Sequence, residues 1–240
     1  MISDVRNVDC MIMMKEFPDD FFDLAIVDPP YGINAANMQM GSNPNRSRND
    51  GFGSAGVSTA VKLKGRLNQG SGKLKNRLLN KSDIGWDNEI PSSEYFEELF
   101  RISKNQIIWG GNYFPLPTSR CWVVWDKMQP WENFSQVELA WTSFDMPSKI
   151  VRYSNTGGAN SEKKIHPTQK PVFIYKWMYR KFCDLKLKLK IWDSHLGSGS
   201  NRIAAAECEF DFWASEINKD YFNDEELRFA NYQSQQKLFA

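Results

Sequence analysis

The chain has 240 residues, 41% of them hydrophobic, and 30 Lys and Arg against 29 Asp and Glu give a formal net charge of +1. That length and apolar content suit one large domain, exclude disorder throughout, and leave no apolar run of membrane-spanning length, so no membrane partner is expected. Cys10, Cys121, Cys183 and Cys208 lie far apart with no C-x-x-C spacing, which argues against a zinc site or a disulfide framework; with no signal pattern at Met1–Arg6, a cytoplasmic setting is expected.

In chain order, Asn7-Val-Asp9-Cys10 precedes an amphipathic stretch from Met11 to Phe17, and Pro18-Asp19-Asp20 breaks it. This reads as strand end, short helix, turn, strand, with Asp9 at a junction where a carboxylate can cap the helix or accept from a ligand amine. The apolar run Leu24-Ala25-Ile26-Val27 then reads as a buried strand, stopped by Asp28-Pro29-Pro30-Tyr31 and Gly32. Two successive prolines supply no N–H and push Asp28 to an extended conformation, leaving free carbonyls at a rigid corner. Carboxylate, carbonyl and aromatic ring together can hold a flat, amine-bearing ring; the plain alternative is a Pro-rich turn with a surface Asp.

Periodicity disappears from Ile33 to about Ile84. Residues 37–85 carry nine basic side chains against two acids, a local charge of +7, so the rest of the chain carries 1 − 7 = −6. A basic segment on a mildly acidic body is the footprint of a polyanion binder, and equally of a solvated linker. Gly51-Phe-Gly53-Ser-Ala-Gly56 satisfies G-x-G-x-x-G, but no strand leads into it and no helix follows, so it is rejected as a dinucleotide fingerprint. Lys62-Leu-Lys-Gly-Arg-Leu67 recurs as Lys73-Leu-Lys-Asn-Arg-Leu78, a spacing that could track phosphates or be drift in a tolerant loop.

Order resumes at Trp86. Pro91 to Lys104 has the signals of a helix, with a Ser cap, early acids and a terminal Lys. Gln106–Trp109 reads as a strand stopped by Gly110-Gly111, and strands are expected over Arg120–Lys127 and Gln136–Trp141. Of the clustered tryptophans, Trp109 at a strand end is the candidate for stacking on a ligand. Arg152 to Lys164 reads as a polar loop, followed by Ile165-His166-Pro-Thr168-Gln169-Lys170-Pro171 and a helix to about Cys183, whose N-terminus would suit an anion. With His195 the one other histidine, His166 reads as a hydrogen-bonding residue before a metal ligand. Leu185 to Ile191 alternates as a half-buried strand would and runs into Asp193-Ser-His195-Leu196-Gly197-Ser198-Gly199, with a helix over Ile203–Glu207. Strand, tight Gly turn and helix is the geometry in which a cofactor approaches backbone, and Phe212–Glu216 is a further strand ending in the acid that could grip ribose hydroxyls. A polar helix closes the chain over Asp220–Gln236. Alternating strands and helices give an α/β class with a mostly parallel sheet.

These motifs, Asp28 to Tyr31, His166 to Pro171 and Asp193 to Gly199, resemble in type and order those of S-adenosylmethionine-dependent adenine-N6 DNA methyltransferases of the permuted, beta arrangement, across most of the chain outside residues 33–85. The resemblance implies a Rossmann-like fold with a twisted sheet and helices on both faces, one catalytic domain over 1–240, and residues 33–85 as a basic insertion that contacts DNA or reads its sequence. It implies S-adenosyl-L-methionine as cofactor, no metal, double-stranded DNA as partner, a monomer or homodimer, and a cognate restriction nuclease where the enzyme serves restriction–modification.

The implied catalytic residues are Asp28, Pro29, Pro30 and Tyr31: the Asp28 carboxylate and Pro29 carbonyl would accept the two N6 hydrogens of a flipped adenine stacked on Tyr31. The implied cofactor set is Asp9, Cys10, Asp28, His166, Thr168, Gln169, Lys170, Asp193, His195, Leu196, Gly197, Ser198, Gly199, Glu216 and Ile217. Within it Glu216 would take the ribose, Asp9 would lie beside the adenine, and Lys170 and Thr168 would lie near the methionine carboxylate. His195 departs from the family, which usually has Phe there. RNA adenine or DNA cytosine-N4 methylation stays open; Asp rather than Ser at position 28 tilts toward adenine. A nicotinamide oxidoreductase lacks its fingerprint, and an inactive nucleic-acid binder would not need intact Asp28, Glu216 and loop glycines.

Overall fold

Alternating side chains along each central strand decide the architecture. In β2 (Leu24–Val27), Leu24 and Ile26 enter one apolar cluster while Ala25 and Val27 enter another; β3 (Gln106–Trp109), β7 (Lys190–Asp193) and β8 (Asp211–Ser215) divide in the same way. Strands that are apolar on both faces need cover on both. A computed structural model describes residues 1–33, 87–129, 135–154 and 164–238. In it α1 (Cys10–Met14) and α2 (Ser93–Ile102) cover one face, and α3 (Val172–Phe182), α4 (Ser200–Glu207) and α5 (Lys219–Leu238) contribute to the cluster on the other.

The remaining strands are β1 (Ser3–Arg6), β4 (Trp122–Asp126), β5 (Val137–Thr142) and β6 (Lys149–Arg152). The eight strands run in the order β1-β8-β7-β2-β3-β5-β4-β6, with β5 antiparallel to both neighbours and every other pairing parallel. The last strand in sequence thus lies beside the first. After β7 the chain moves to β8 on one side, and after β2 to β3 on the other, so the carboxyl ends of β7 and β2 flank a topological switch point. In open α/β sheets that crevice is where ligands bind.

Three expectations need correction. The alternation from Leu185 does not make a strand: β7 begins at Lys190, and Leu185 and Leu187 are exposed in a turn in which Asp184 accepts from the Lys186 and Leu187 amides. Trp109 is fully buried, packed edge-on to Trp125, and offers no face to a ligand. The helix expected to run from Pro171 begins at Val172, with Pro171 as its N-cap, and Arg152, expected to open a polar loop, is the last residue of β6. The basic stretch with its glycine triplet and repeat, together with Trp86, lies outside the described residues. Among the described residues no helix is long and apolar enough to cross a membrane.

Candidate active site at the switch point

Asp28 leaves the end of β2 with its side chain 21% exposed. Its Oδ1 accepts from the Tyr31 hydroxyl at 2.6 Å and its Oδ2 from Lys170 Nζ at 2.5 Å. The buried Asp87 holds the corner from below, with Oδ1 accepting from the Tyr31 amide at 2.6 Å and the Gly32 amide at 3.0 Å. Pro29 is buried and Pro30 half-buried. Gly110, at φ 69°, lies against the Tyr31 ring so closely that a Cβ would fall 2.2 Å from Cε1; no other residue fits there. Tyr113 stacks on Tyr31 at 5.1 Å and 16°, and Phe114 meets it edge-on. Burial, reinforced by Asp28 and Glu138, drives the Tyr31 phenol well above its usual range, so it remains a hydrogen donor.

The His166 to Pro171 segment delivers Lys170 to this corner. Gln169 Oε1 accepts from the Ile165 amide at 2.9 Å, the Gln169 amide donates to His166 O at 3.2 Å, and Thr168 Oγ1 lies 3.2 Å from His166 Nδ1. The His166 ring packs edge-on against Tyr221, and burial, with the Lys170 charge nearby, lowers its pKa to about 3. Lys170 is 4% exposed. Its ammonium sits between Asp28 and Glu138, whose Oε2 is 3.2 Å away, and 5.0 Å from the Trp109 ring centre. Burial would lower the Lys170 pKa, but the two carboxylates outweigh it and the net shift is upward. Glu138 is pulled the other way: burial raises it, and Lys170 and Lys127 lower it further than that.

Across the crevice the groups are held mostly by amides. Asp193 is 3% exposed, and accepts from the His195 amide at 3.1 Å and from Asn201 Nδ2 at 3.0 Å; burial raises its pKa to about 7. Glu216 is 8% exposed and accepts from the Gly197 amide at 2.9 Å and the Asn218 amide at 2.8 Å, with burial again raising its pKa. Leu196 joins the core, its amide donating to Ser215 O. Ser198 Oγ lies 3.1 Å from Ser200 Oγ, and Ser198 O accepts from Arg228 at 2.5 Å. Gly199, at φ 71°, opens α4, and a Cβ on it would collide with Glu225. His195 Nδ1 is 2.8 Å from Ser194 Oγ, which in turn bonds the Tyr95 hydroxyl at 2.6 Å; burial lowers this imidazole to about 4, against the charge of Asp9.

Asp9 caps α1, accepting from the Met11 amide at 2.7 Å, so the first of its two readings is realised. The segment is tied to Glu216 by Asn7 Nδ2, which donates to Glu216 O at 2.7 Å and Ile217 O at 3.1 Å. Cys10 is partly buried with its thiol pushed up to about 12, chiefly by burial, which excludes a thiolate. Ile217 is 69% exposed. Lys170 Nζ points to Asp28 and Glu138. Among the described residues no group of three His, Cys, Asp or Glu is placed to hold a metal ion.

Sequence reasoning missed Asp87, Gly110, Tyr113, Glu138 and Asn201. Glu138 had a signal, an acid inside the apolar strand run Val137–Trp141, and Gly110 had one, a glycine pair directly after a strand. Asp87 and Asn201 had none.

No protein-family profile matches this chain, and no curated protein does. Its fold does have solved counterparts. The M1.HpyAVI–SAM complex matches over 95% of this chain and 100% of its own, with a TM-score of 0.55 and 15% identity. TTHA0409 from Thermus thermophilus, complexed with S-adenosyl-L-methionine, matches over 96% and 94% with a TM-score of 0.51 and 13% identity. PvuII DNA methyltransferase (cytosine-N4-specific) matches over 95% and 86% with a TM-score of 0.55 and 11% identity. At these identities the likeness is one of fold, and the fold of this chain is the Rossmann-like α/β sheet of such methyltransferases.

Proposed function

We propose that the protein transfers a methyl group from S-adenosyl-L-methionine to the exocyclic N6 of an adenine flipped out of double-stranded DNA. The observation that carries this reading is the pairing of two unlike corners across one switch point: an Asp-Pro-Pro-Tyr acceptor corner at the end of β2 and two nearly buried carboxylates around a glycine turn at the ends of β7 and β8. The fold neighbours crystallised with S-adenosylmethionine and the DNA methyltransferase among them lend support.

The donor corner fits the cofactor by the chemistry of its groups. Asp193 and Glu216 are acceptors raised in pKa by burial and bonded to amides, so a ligand that brings hydroxyl or amine donors relieves them. Glu216 would hold the ribose hydroxyls, Asp193 and Gly197 to Gly199 the amino-acid part, and Asp9, Cys10 and the exposed Ile217 the adenine; His166, Thr168, Gln169, His195, Leu196 and Ser198 would shape the walls. When bound, the cofactor supplies a methyl group already activated on a sulfonium.

The chain's own part is to place and prepare the amine. Asp28 and the Pro29 carbonyl accept its two hydrogens, which draws the nitrogen lone pair out of the ring and turns it toward the donor corner. Asp28 works as an acceptor, since a neutral amine is far too weak an acid for a carboxylate to deprotonate first. Lys170 reinforces this, because its ammonium donates to Oδ2 and holds the carboxylate in place for the amine. Tyr31 supplies the stacking plane once Tyr113 clears its face.

Cytosine N4 is the second reading, favoured by one observation, the equal fold match to the cytosine-N4-specific enzyme. The test is transfer of tritiated methyl from S-adenosylmethionine to unmethylated DNA and to RNA, followed by digestion to nucleosides. N6-methyladenine in DNA is the expected product, N4-methylcytosine selects the second reading, and no transfer to DNA overturns both.

A further inference from the structure

Glu138 poses a problem that its own strand does not solve. It lies on β5, paired in register with Trp125 of β4 and between Val137 and Leu139, where a carboxylate is costly unless it is compensated. Lys127 compensates it at 2.7 Å, so its charge is already met by a neighbour. Yet Lys170, 4% exposed and delivered from a different part of the chain, also lies against it at 3.2 Å while making the shorter contact, 2.5 Å, to Asp28. The four groups alternate in sign: Lys127, Glu138, Lys170, Asp28. An ammonium held by carboxylates on two sides is fixed in place; held on one side only, it can slide across both oxygens of its single partner.

We propose that Glu138 is a positioning residue for the amine site: by holding the far side of the Lys170 ammonium, it keeps that ammonium on Oδ2 of Asp28 and leaves to the substrate amine the remaining lone pair of Oδ1, beside the Tyr31 hydroxyl that donates there at 2.6 Å. With Glu138 neutralised, Lys170 and the amine compete for the same lone pairs, and the amine is the weaker donor of the two. The effect should fall on turnover and spare cofactor affinity, because β5 lies beyond β3 from β2, whereas the donor corner is built at β7 and β8. This inference rests on the methyl-transfer reading.

The test compares full-length wild type, Glu138→Gln and Glu138→Asp for transfer of tritiated methyl to unmethylated DNA, with S-adenosylmethionine binding measured by calorimetry. Glu138→Gln should lower kcat about tenfold or more with cofactor Kd changed less than about twofold, and Glu138→Asp, which keeps the charge, should restore much of the loss. Turnover of Glu138→Gln within about twofold of wild type overturns the proposal, as does a parallel loss of kcat and cofactor affinity that Glu138→Asp does not rescue. Wild-type turnover on DNA tests the underlying reading separately. Independently of turnover, the side-chain carboxyl 13C resonance of Asp28 should move in Glu138→Gln and move less in Glu138→Asp; a resonance that stays put in Glu138→Gln breaks the Lys170 link even if no methyl is transferred.

Discussion

The two corners of the crevice are each built around a pair of acids, but they treat them in opposite ways. At the amine corner Asp28 and Glu138 share the Lys170 ammonium, and Glu138 is held below the usual carboxylate range despite burial. At the donor corner Asp193 and Glu216 receive amides, and burial raises both. One corner meets its acids with a buried cation; the other meets them with neutral amides alone, so burial still raises them and a ligand that brings further donors is favoured there. Mutations should separate accordingly, into losses of turnover at the first corner and losses of affinity at the second.

The sharpest way to break that contrast is Asp28→Ala. Methyl transfer should fall at least about a thousandfold while cofactor Kd holds within a few-fold, and a variant with near-normal turnover in the tritium assay would remove the amine corner from the chemistry. Glu216→Ala should do the reverse, weakening S-adenosylmethionine by about a hundredfold in calorimetry while saturating cofactor restores most of kcat.

Next in size is a pH effect at His195. Its imidazole has a pKa of about 4 in the folded chain, against about 6.5 unfolded. The folded state therefore refuses a proton that the unfolded state takes, and stability is complete above about pH 6.5 and lost as pH falls toward 4. His195→Phe has no such proton to refuse, so relative to wild type it should gain about 2 kcal/mol between pH 7.5 and pH 5 in urea unfolding. An unchanged difference between the two pH values would mean that His195 takes its proton in the fold as readily as in the unfolded chain.

The smallest effect expected is at Tyr113, whose ring lies where a flat substrate would stack on Tyr31. Tyr113→Ala should lower KM for DNA about fivefold with little change in kcat, since an aromatic pair worth about 1 kcal/mol no longer has to part. A rise in KM would instead make Tyr113 a wall of the base pocket.

Much of this was readable in advance because the chemistry is concentrated in contiguous motifs. Asp28 to Tyr31 and Asp193 to Gly199 each follow a short apolar strand, and strand ends marked by Pro or Gly stand out in any sequence. What escaped notice comes from contacts between distant positions. Asp87 reaches the Tyr31 amide across 56 positions and Lys170 reaches Asp28 across 142, and no local pattern carries either distance. The false strand at Leu185 has a related cause: alternation states which side of a chain is apolar but not whether a neighbouring strand exists to pair with it. Lys149–Arg152 shows the converse, two apolar residues between two charged ones, too short a run to stand out, that become a strand because β4 offers an edge.

Asn201 acts as a spacer. Its Nδ2 donates at once to Asp193 Oδ2 and to Ile26 O, while its Oδ1 accepts from the Tyr179 hydroxyl, so one amide spans the ends of β7 and β2 and is itself locked from behind. The gap between donor and acceptor corners is then gauged by hydrogen-bond lengths and not by the packing of long side chains. Packing yields gradually as helices breathe; a bond-length gauge does not. The width of the crevice should therefore stay constant over a range of temperatures in which the covering helices loosen, and a single-residue change at Asn201 would release Asp193 and alter the reach of the reaction without touching the Asp28 corner.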